Sequence, residues 1–257
     1  MPTKICLVAA LVCGAALYAQ NQNPPAAPGV LKPHAYVRRV SAGATLSVLV
    51  LNLVPTGVLN ISTTSPPLDA LYTTAGTLHR IGWGFQAQAA IRERFAVNAG
   101  FLVRRAGYKM TSETYEGTDN PNTTVDDRTH TIRNEDTQAK FFDFPVVLRY
   151  YGKDRHDPGP RWFVEGGGVV RRVFRIKTSI DTTVGSADTV CCDTTPATPA
   201  RRTIRGFVGG FGVQVIDPVG IRVVPEVRYT RWAGHTFDSL STQTQGNQLE
   251  AMISLTF

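Results

Sequence analysis

Long apolar runs are scarce in this 257-residue sequence. Apart from residues 5–17, no stretch approaches the roughly 20 apolar residues that a membrane-crossing helix needs. Any crossing of a bilayer must therefore be made by strands. Cysteine is nearly absent. Of the four, Cys6 and Cys13 lie in that first apolar stretch, and Cys191 and Cys192 are neighbours. Two adjacent thiols without partners of suitable spacing do not make a metal site. Charged residues amount to 18%, below the usual quarter or so. The net charge of +7 is not gathered into a basic run or a basic helix with interleaved aromatics, which argues against nucleic acid as a partner. There is no G-x-S-x-G nucleophile elbow. The Gly166-Gly167-Gly168 and Gly209-Gly210 runs precede no helix and so are not phosphate loops.

The N-terminus has the layout of an export signal. Lys4 supplies the positive start, residues 5–17 the apolar stretch, and Leu17-Tyr18-Ala19 the cleavage site before Gln20. Removal of residues 1–19 takes Cys6 and Cys13 with it. In an oxidising location, Cys191 and Cys192 are then expected to form a vicinal disulfide or an intermolecular bond. Residues 20–34, rich in Pro, Asn and Gln, are expected to be a flexible lead-in.

The last ten residues alternate strictly. Leu249, Ala251, Ile253, Leu255 and Phe257 form one side, and Gln248, Glu250, Met252, Ser254 and Thr256 the other. About ten residues is the length of a tilted strand that crosses a bilayer, apolar to lipid and polar to a lumen. Similar period-2 patterns occupy residues 35–50, 79–91, 95–110, 140–151, 161–177, 203–216 and 221–232, which makes eight segments with the last. Short turns at 92–94, 152–160 and 217–220 join alternate pairs, while the other connections are long and polar. Short turns at one end and long loops at the other mark a membrane barrel. A compact soluble domain has no use for such long loops.

Three local features carry a family resemblance. They are Phe142-Asp143-Phe144-Pro145-Val146-Val147-Leu148-Arg149-Tyr150, Pro225-Glu226-Val227-Arg228-Tyr229-Thr230-Arg231-Trp232, and the last strand ending on Phe257. Over residues 35–257 the chain resembles the bacterial outer-membrane β-barrel domain proteins, the small OmpA/OmpX-like or porin-family group. The resemblance implies an all-β fold, an eight-stranded antiparallel up-and-down transmembrane β-barrel; the four long surface loops read from this sequence depart from the family's smallest members, so no surface role is carried over from them. It also implies export, outer-membrane lipid as surroundings, insertion by the barrel-assembly machinery, and Phe257 as an assembly signal. The family has no shared catalytic residues or cofactor to carry over. Pro145 and Pro225 are expected to mark bulges where a ladder bond is missing.

The inward faces then collect Arg39, Arg104, Arg149, Arg171, Arg222 and Arg228 with Asp143, Glu165, Glu226 and Glu250. An eight-stranded barrel is wide enough only for side chains, so these charges are expected to pair into a plug. Six cations against four anions leave a narrow, anion-leaning passive porin as the alternative. Tyr36, Tyr108, Tyr150, Tyr151, Trp162, Tyr229 and Trp232 are read as interface girdles. Glu113, Glu116, Asp119, Asp126, Asp127, Glu135 and Asp136 make an acidic loop without EF-hand spacing, so no metal is expected. His235, Asp238 and Ser239 share the last long loop and keep a lipid-modifying enzyme as a further alternative. The expected role is structural or surface-interacting and non-enzymatic, with no surface ligand identified.

Overall fold

The computed structural model describes residues 38–257, apart from 78–79, 158, 186–189, 194–199, 218–219 and 240. The expected export signal, the lead-in and Tyr36 lie outside the described residues. Eleven strands and no helix make up the described chain: β1 (Val40–Leu49), β2 (Gly57–Thr64), β3 (Pro67–Gly76), β4 (Ile81–Ala90), β5 (Phe95–Glu116), β6 (Thr129–Tyr151), β7 (Arg161–Val184), β8 (Val190–Asp193), β9 (Thr203–Ile216), β10 (Arg222–Trp232) and β11 (Asn247–Thr256).

Eight of these strands pair in a ring. The order β5-β4-β1-β11-β10-β9-β7-β6 closes through the pairing of β6 with β5, and every pairing is antiparallel. Each strand of the ring thus has two neighbours, and none offers a bare row of backbone groups along the ring. Period-2 side chains divide sharply across it. On β4, Ile81, Trp83, Phe85 and Ala87 are exposed while Gly82, Gly84, Gln86 and Gln88 are buried. The ring is inverted relative to a water-soluble sheet: Phe207 is 76% exposed and Arg149 0%.

The strands differ greatly in length. β1, β4 and β11 have 10 residues each, whereas β5, β6 and β7 have 22, 23 and 24. At about 3.3 Å per residue, the long three run well past the ring. There the β2–β3 hairpin pairs with the far half of β5, from Gly76↔Tyr108 to Leu68↔Glu116, and β8 pairs with the end of β7. Strand therefore enters three of the four long connections: β2–β3 in the first, prolonged β5 and β6 in the second, prolonged β7 with β8 in the third. The sequence reading stopped these strands at Met110, Lys140 and Lys177. Beyond those points the apolar alternation fades, and a strand with two polar faces looks like a loop in one dimension.

Pro145 and Pro225 sit in unshifted register, Pro145↔Val169 and Pro225↔Ile253, so neither makes the expected bulge. Each only interrupts the ladder on its other side, since proline has no N–H to give. Gly100 stands opposite Pro145, where a Cβ would come within 3.1 Å of the proline ring. The bulge lies instead between Lys140 and Phe141. The extra residue is Phe174 of β7, so Phe174 and Arg175, neighbours in a period-2 strand, both face outward and Ile176 turns towards the core.

The interior is layered along β6. Tyr151 belongs to an apolar cluster with Ala96, Phe163 and Val224. Arg149 and then Val147 follow, the latter packed with Val169, Ile204, Val208 and Trp232. Next come Asp143 and Phe141. Phe141 lies in the largest cluster with Leu53, Val54, Tyr108, Val173 and Phe237. Two layers of charge thus alternate with three of hydrocarbon.

Candidate functional site

Strand parity brings the ionised side chains together. Asp143 and Arg149 on β6, Glu165 and Arg171 on β7, Glu226 and Arg228 on β10, Arg104 on β5 and Glu250 on β11 all take buried positions in their strands. The carboxylates are shared between guanidiniums. Asp143 accepts from Arg104 Nε at 2.8 Å and from Arg171 Nε and Nη2 at 2.7 and 2.8 Å. Arg104 also donates to Ser47 at 3.0 Å and pairs with Glu250. Arg149 donates to Glu165 at 2.8 Å and to Glu226 at 2.5 Å, and Arg228 reaches the same two carboxylates at 3.0 and 2.6 Å.

Several of these bonds cross the ring rather than join neighbours. Arg104 on β5 and Glu250 on β11 are separated by β4 and β1, and Arg149 on β6 and Glu226 on β10 by β7 and β9. Neutral groups complete the set. Gln88 accepts from Arg149 and from the Tyr151 hydroxyl, and Gln248 accepts from Arg171 and the Trp232 indole. The Arg171 guanidinium lies 4.1 Å from the Trp232 ring centroid, and that of Arg149 lies 4.5 Å from Phe163. Small residues make room for these chains. At Gly82 a Cβ would lie 2.7 Å from Ser47 Oγ and 3.2 Å from Arg104, and at Gly210 it would lie 3.1 Å from Glu165.

Two expected members are placed elsewhere. Arg39 precedes β1 and is exposed. Arg222 is buried, yet it donates to the Arg38 carbonyl at 2.8 Å and makes no ion pair among the described residues. The network is therefore four guanidiniums against four carboxylates rather than six against four. Tyr108, Tyr151 and Trp232 are corrected too, being 5%, 1% and 5% exposed and part of the interior. Tyr151 follows the outward Tyr150, so the pleat turns it inward. Tyr150, Trp162 and Tyr229 face outward as expected. The parts played by Gln88, Gln248 and Trp232 were not read from sequence. Inward parity was the only signal for the glutamines.

The fourth long connection, between β10 and β11, folds over the mouth at the long-connection end. Phe237 packs edge-on to Tyr108 at 5.6 Å and against Phe141 at 6.4 Å. Thr74 donates to the Ser241 carbonyl at 3.0 Å, and Gln245 N–H to the Leu53 carbonyl at 2.8 Å. In this connection His235 Nδ1 lies 2.5 Å from the Thr244 carbonyl, Ser239 bonds Thr242, and Asp238 accepts from Gln243. No two of His235, Asp238 and Ser239 are hydrogen-bonded among the described residues, so they form no nucleophile–base relay. A cleft of about 570 Å³ opens beside them, lined by Arg201, Phe207, Arg231, Trp232, His235 and Asp238 among others.

The acidic stretch is organised around Arg128, which pairs with Asp126 at 2.7 Å and with Asp69 of β3 at 2.6 Å. The Arg128 guanidinium beside it holds the Asp126 carboxyl down at about 2. A hydrogen bond from Ser62, then Arg128, holds Asp69 below its ordinary value. No cluster of three or more metal-ligating side chains occurs among the described residues. The expected disulfide of Cys191 and Cys192 rests on side chains outside the described residues.

No family model and no curated protein matches this chain.

Proposed function

We propose that the chain is an integral outer-membrane protein, an eight-stranded transmembrane β-barrel whose lumen is plugged and whose role is structural or surface-interacting. The inversion of the ring carries this reading. Exposed Trp83, Phe85, Phe144, Val146, Phe207 and Phe211 suit lipid, and charges at full burial find partners only inside. A sheet that met water on its outer face would gain nothing from this arrangement. Three short turns at one end and long connections at the other agree with it. The export signal, the assembly role of Phe257 and handling by the barrel-assembly machinery belong to the same proposal.

Heat modifiability tests it. The full chain is expressed, the outer-membrane fraction is isolated, and boiled and unboiled samples are compared on a detergent gel. A mobility difference in that fraction is expected. A chain recovered soluble and without such a difference overturns the reading.

The narrow porin was favoured by excess cation; the paired network is balanced four to four, and the buried Arg161 and Arg222 beyond it donate to backbone carbonyls. The Phe237 cluster also stands above the charges as an apolar stopper. Planar-bilayer recordings are expected to show no steady conductance.

A further inference from the structure

The outer face of the ring carries a second charge pattern, just beyond its aromatic band at the long-connection end. Arg105 of β5 stands directly opposite Lys140 of β6, and Lys140 directly opposite Arg175 of β7. All three side chains are exposed. Directly opposed residues sit about 5 Å apart at Cβ, and like charges so placed repel. No carboxylate pairs with any of the three among the described residues; the nearest outward ion pair is Lys109–Asp136, at 3.7 Å. Arg172, Arg205 and Arg231 extend the row outward on β7, β9 and β10. Arg231 borders the cleft beside His235.

Directly below lies hydrocarbon. Phe101, Phe142, Phe144 and Phe174 form a chain of rings with centroids 4.9–5.3 Å apart. Phe142 is two residues from Lys140, and Phe207 is two residues from Arg205, about 7 Å along a strand. The cations thus stand where head groups would meet a surface whose apolar part lies in acyl chains. At the short-turn end cations are mixed with carboxylates. There Arg94 is neutralised by Asp154 at 2.5 Å, and Arg155 approaches Glu93 at 3.5 Å.

We propose that the row Arg105–Lys140–Arg175, continued by Arg172, Arg205 and Arg231, is a docking surface for the anionic phosphates of membrane lipid head groups. This rests on the membrane-barrel reading. Three like charges in register repel until an external anion lies among them. Planar guanidiniums take phosphate oxygens in pairs, and the rings beneath fix the depth. The surface covers β5, β6, β7, β9 and β10 and leaves β1, β4 and β11 without a cation of this row, so bound lipid is held on one side of the ring.

The test compares the folded chain in vesicles of phosphatidylcholine with vesicles that also contain phosphatidylglycerol. The temperature at which the mobility difference is lost is the readout. It is expected to be higher in the anionic vesicles by on the order of 5 °C. In a Lys140→Gln/Arg175→Gln variant the gain shrinks to less than half, while stability in neutral vesicles stays equal or rises because repulsion is relieved. Arg105→Gln serves as the second variant, with the same sign and a smaller effect. Equal midpoints in the two lipids overturn the proposal. So does a variant that keeps the full gain, or inorganic phosphate that reproduces the gain in neutral vesicles. A mobility difference without lipid dependence sinks this surface and leaves the barrel standing. No mobility difference in any vesicle removes both.

Discussion

Arg149 and Arg128 make the same bond in opposite settings. Each guanidinium bridges two carboxylates, Glu165 and Glu226 for the first, Asp126 and Asp69 for the second. Arg149 and its partners are fully buried in the ring, while Arg128 and its partners stand at the surface of the projecting β2–β3–β5–β6–β7 ribbon. In the ribbon, water can replace either partner, so the bridge shapes a turn. Inside the ring these groups are shielded from solvent, and a lost partner leaves a buried charge short of its counter-ion. The same three strands, β5 to β7, run through both regions. The comparison thus isolates surroundings from backbone.

The largest expected effect comes from breaking the buried bridge. Arg149→Met leaves Glu165 and Glu226 to Arg228 alone and is expected to cost about 3–5 kcal/mol, read as a lower urea midpoint of the folded form in detergent. Arg128→Met is the counterpart. It is expected to leave that midpoint unchanged and only to speed proteolysis within residues 117–128. Equal losses in the two variants would erase the distinction between the regions.

Next is the apolar stopper. Phe237→Ala empties the space against Tyr108 and Phe141 and is expected to cost about 3 kcal/mol by the same measurement. A neutral result would mean that the β10–β11 connection does not hold the mouth.

A charge placed outside the ring probes what surrounds it. Phe144→Arg is expected to lower stability in vesicles by about 2–3 kcal/mol, whereas Val125→Arg at the ribbon tip does nothing measurable. Both residues are exposed, and Phe144→Ala, which loses the same contact with Phe101 without adding a charge, is expected to cost less than Phe144→Arg if lipid surrounds the ring.

The smallest effect is one of pH. The Asp126 carboxyl is held down from 3.8 to about 2. A depressed carboxylate contributes order that is complete above its unfolded value and lost as pH falls through the folded one. Amide exchange of residues 119–128 is therefore expected to stay slow down to about pH 4 and to rise between about 4 and 2. Rapid exchange already at neutral pH would show that the Arg128 bridge does not order the turn.

The alternation of apolar and polar residues was legible because a strand has a period of two and one of its faces must be apolar wherever the ring meets something other than water. That rule recovered all eight ring strands, the 203–216 strand to the residue, and nine of the ten charges proposed for the interior, eight of them in the ion-pair network. It failed where both faces are polar. The β2–β3 hairpin, β8 and the outer halves of β5, β6 and β7 show no apolar stripe, and only pairing with a neighbour makes them strands. It failed again at Arg175, where one extra residue on β7, Phe174, opposite the Lys140–Phe141 step, inverts the facing that counting assigns.

By itself the sequence determined strand class, ring strand number, the sidedness of loop lengths and the facing of those charges that lie in unbroken alternation, since all of these follow from local periodicity. The tertiary structure alone decided that Arg104 meets Glu250 across the ring, that Arg149 meets Glu226, that Arg39 stays outside and that Phe237 closes the mouth. Those contacts join residues up to 146 positions apart, and their partners are chosen by ring closure and register rather than by any neighbour in the chain.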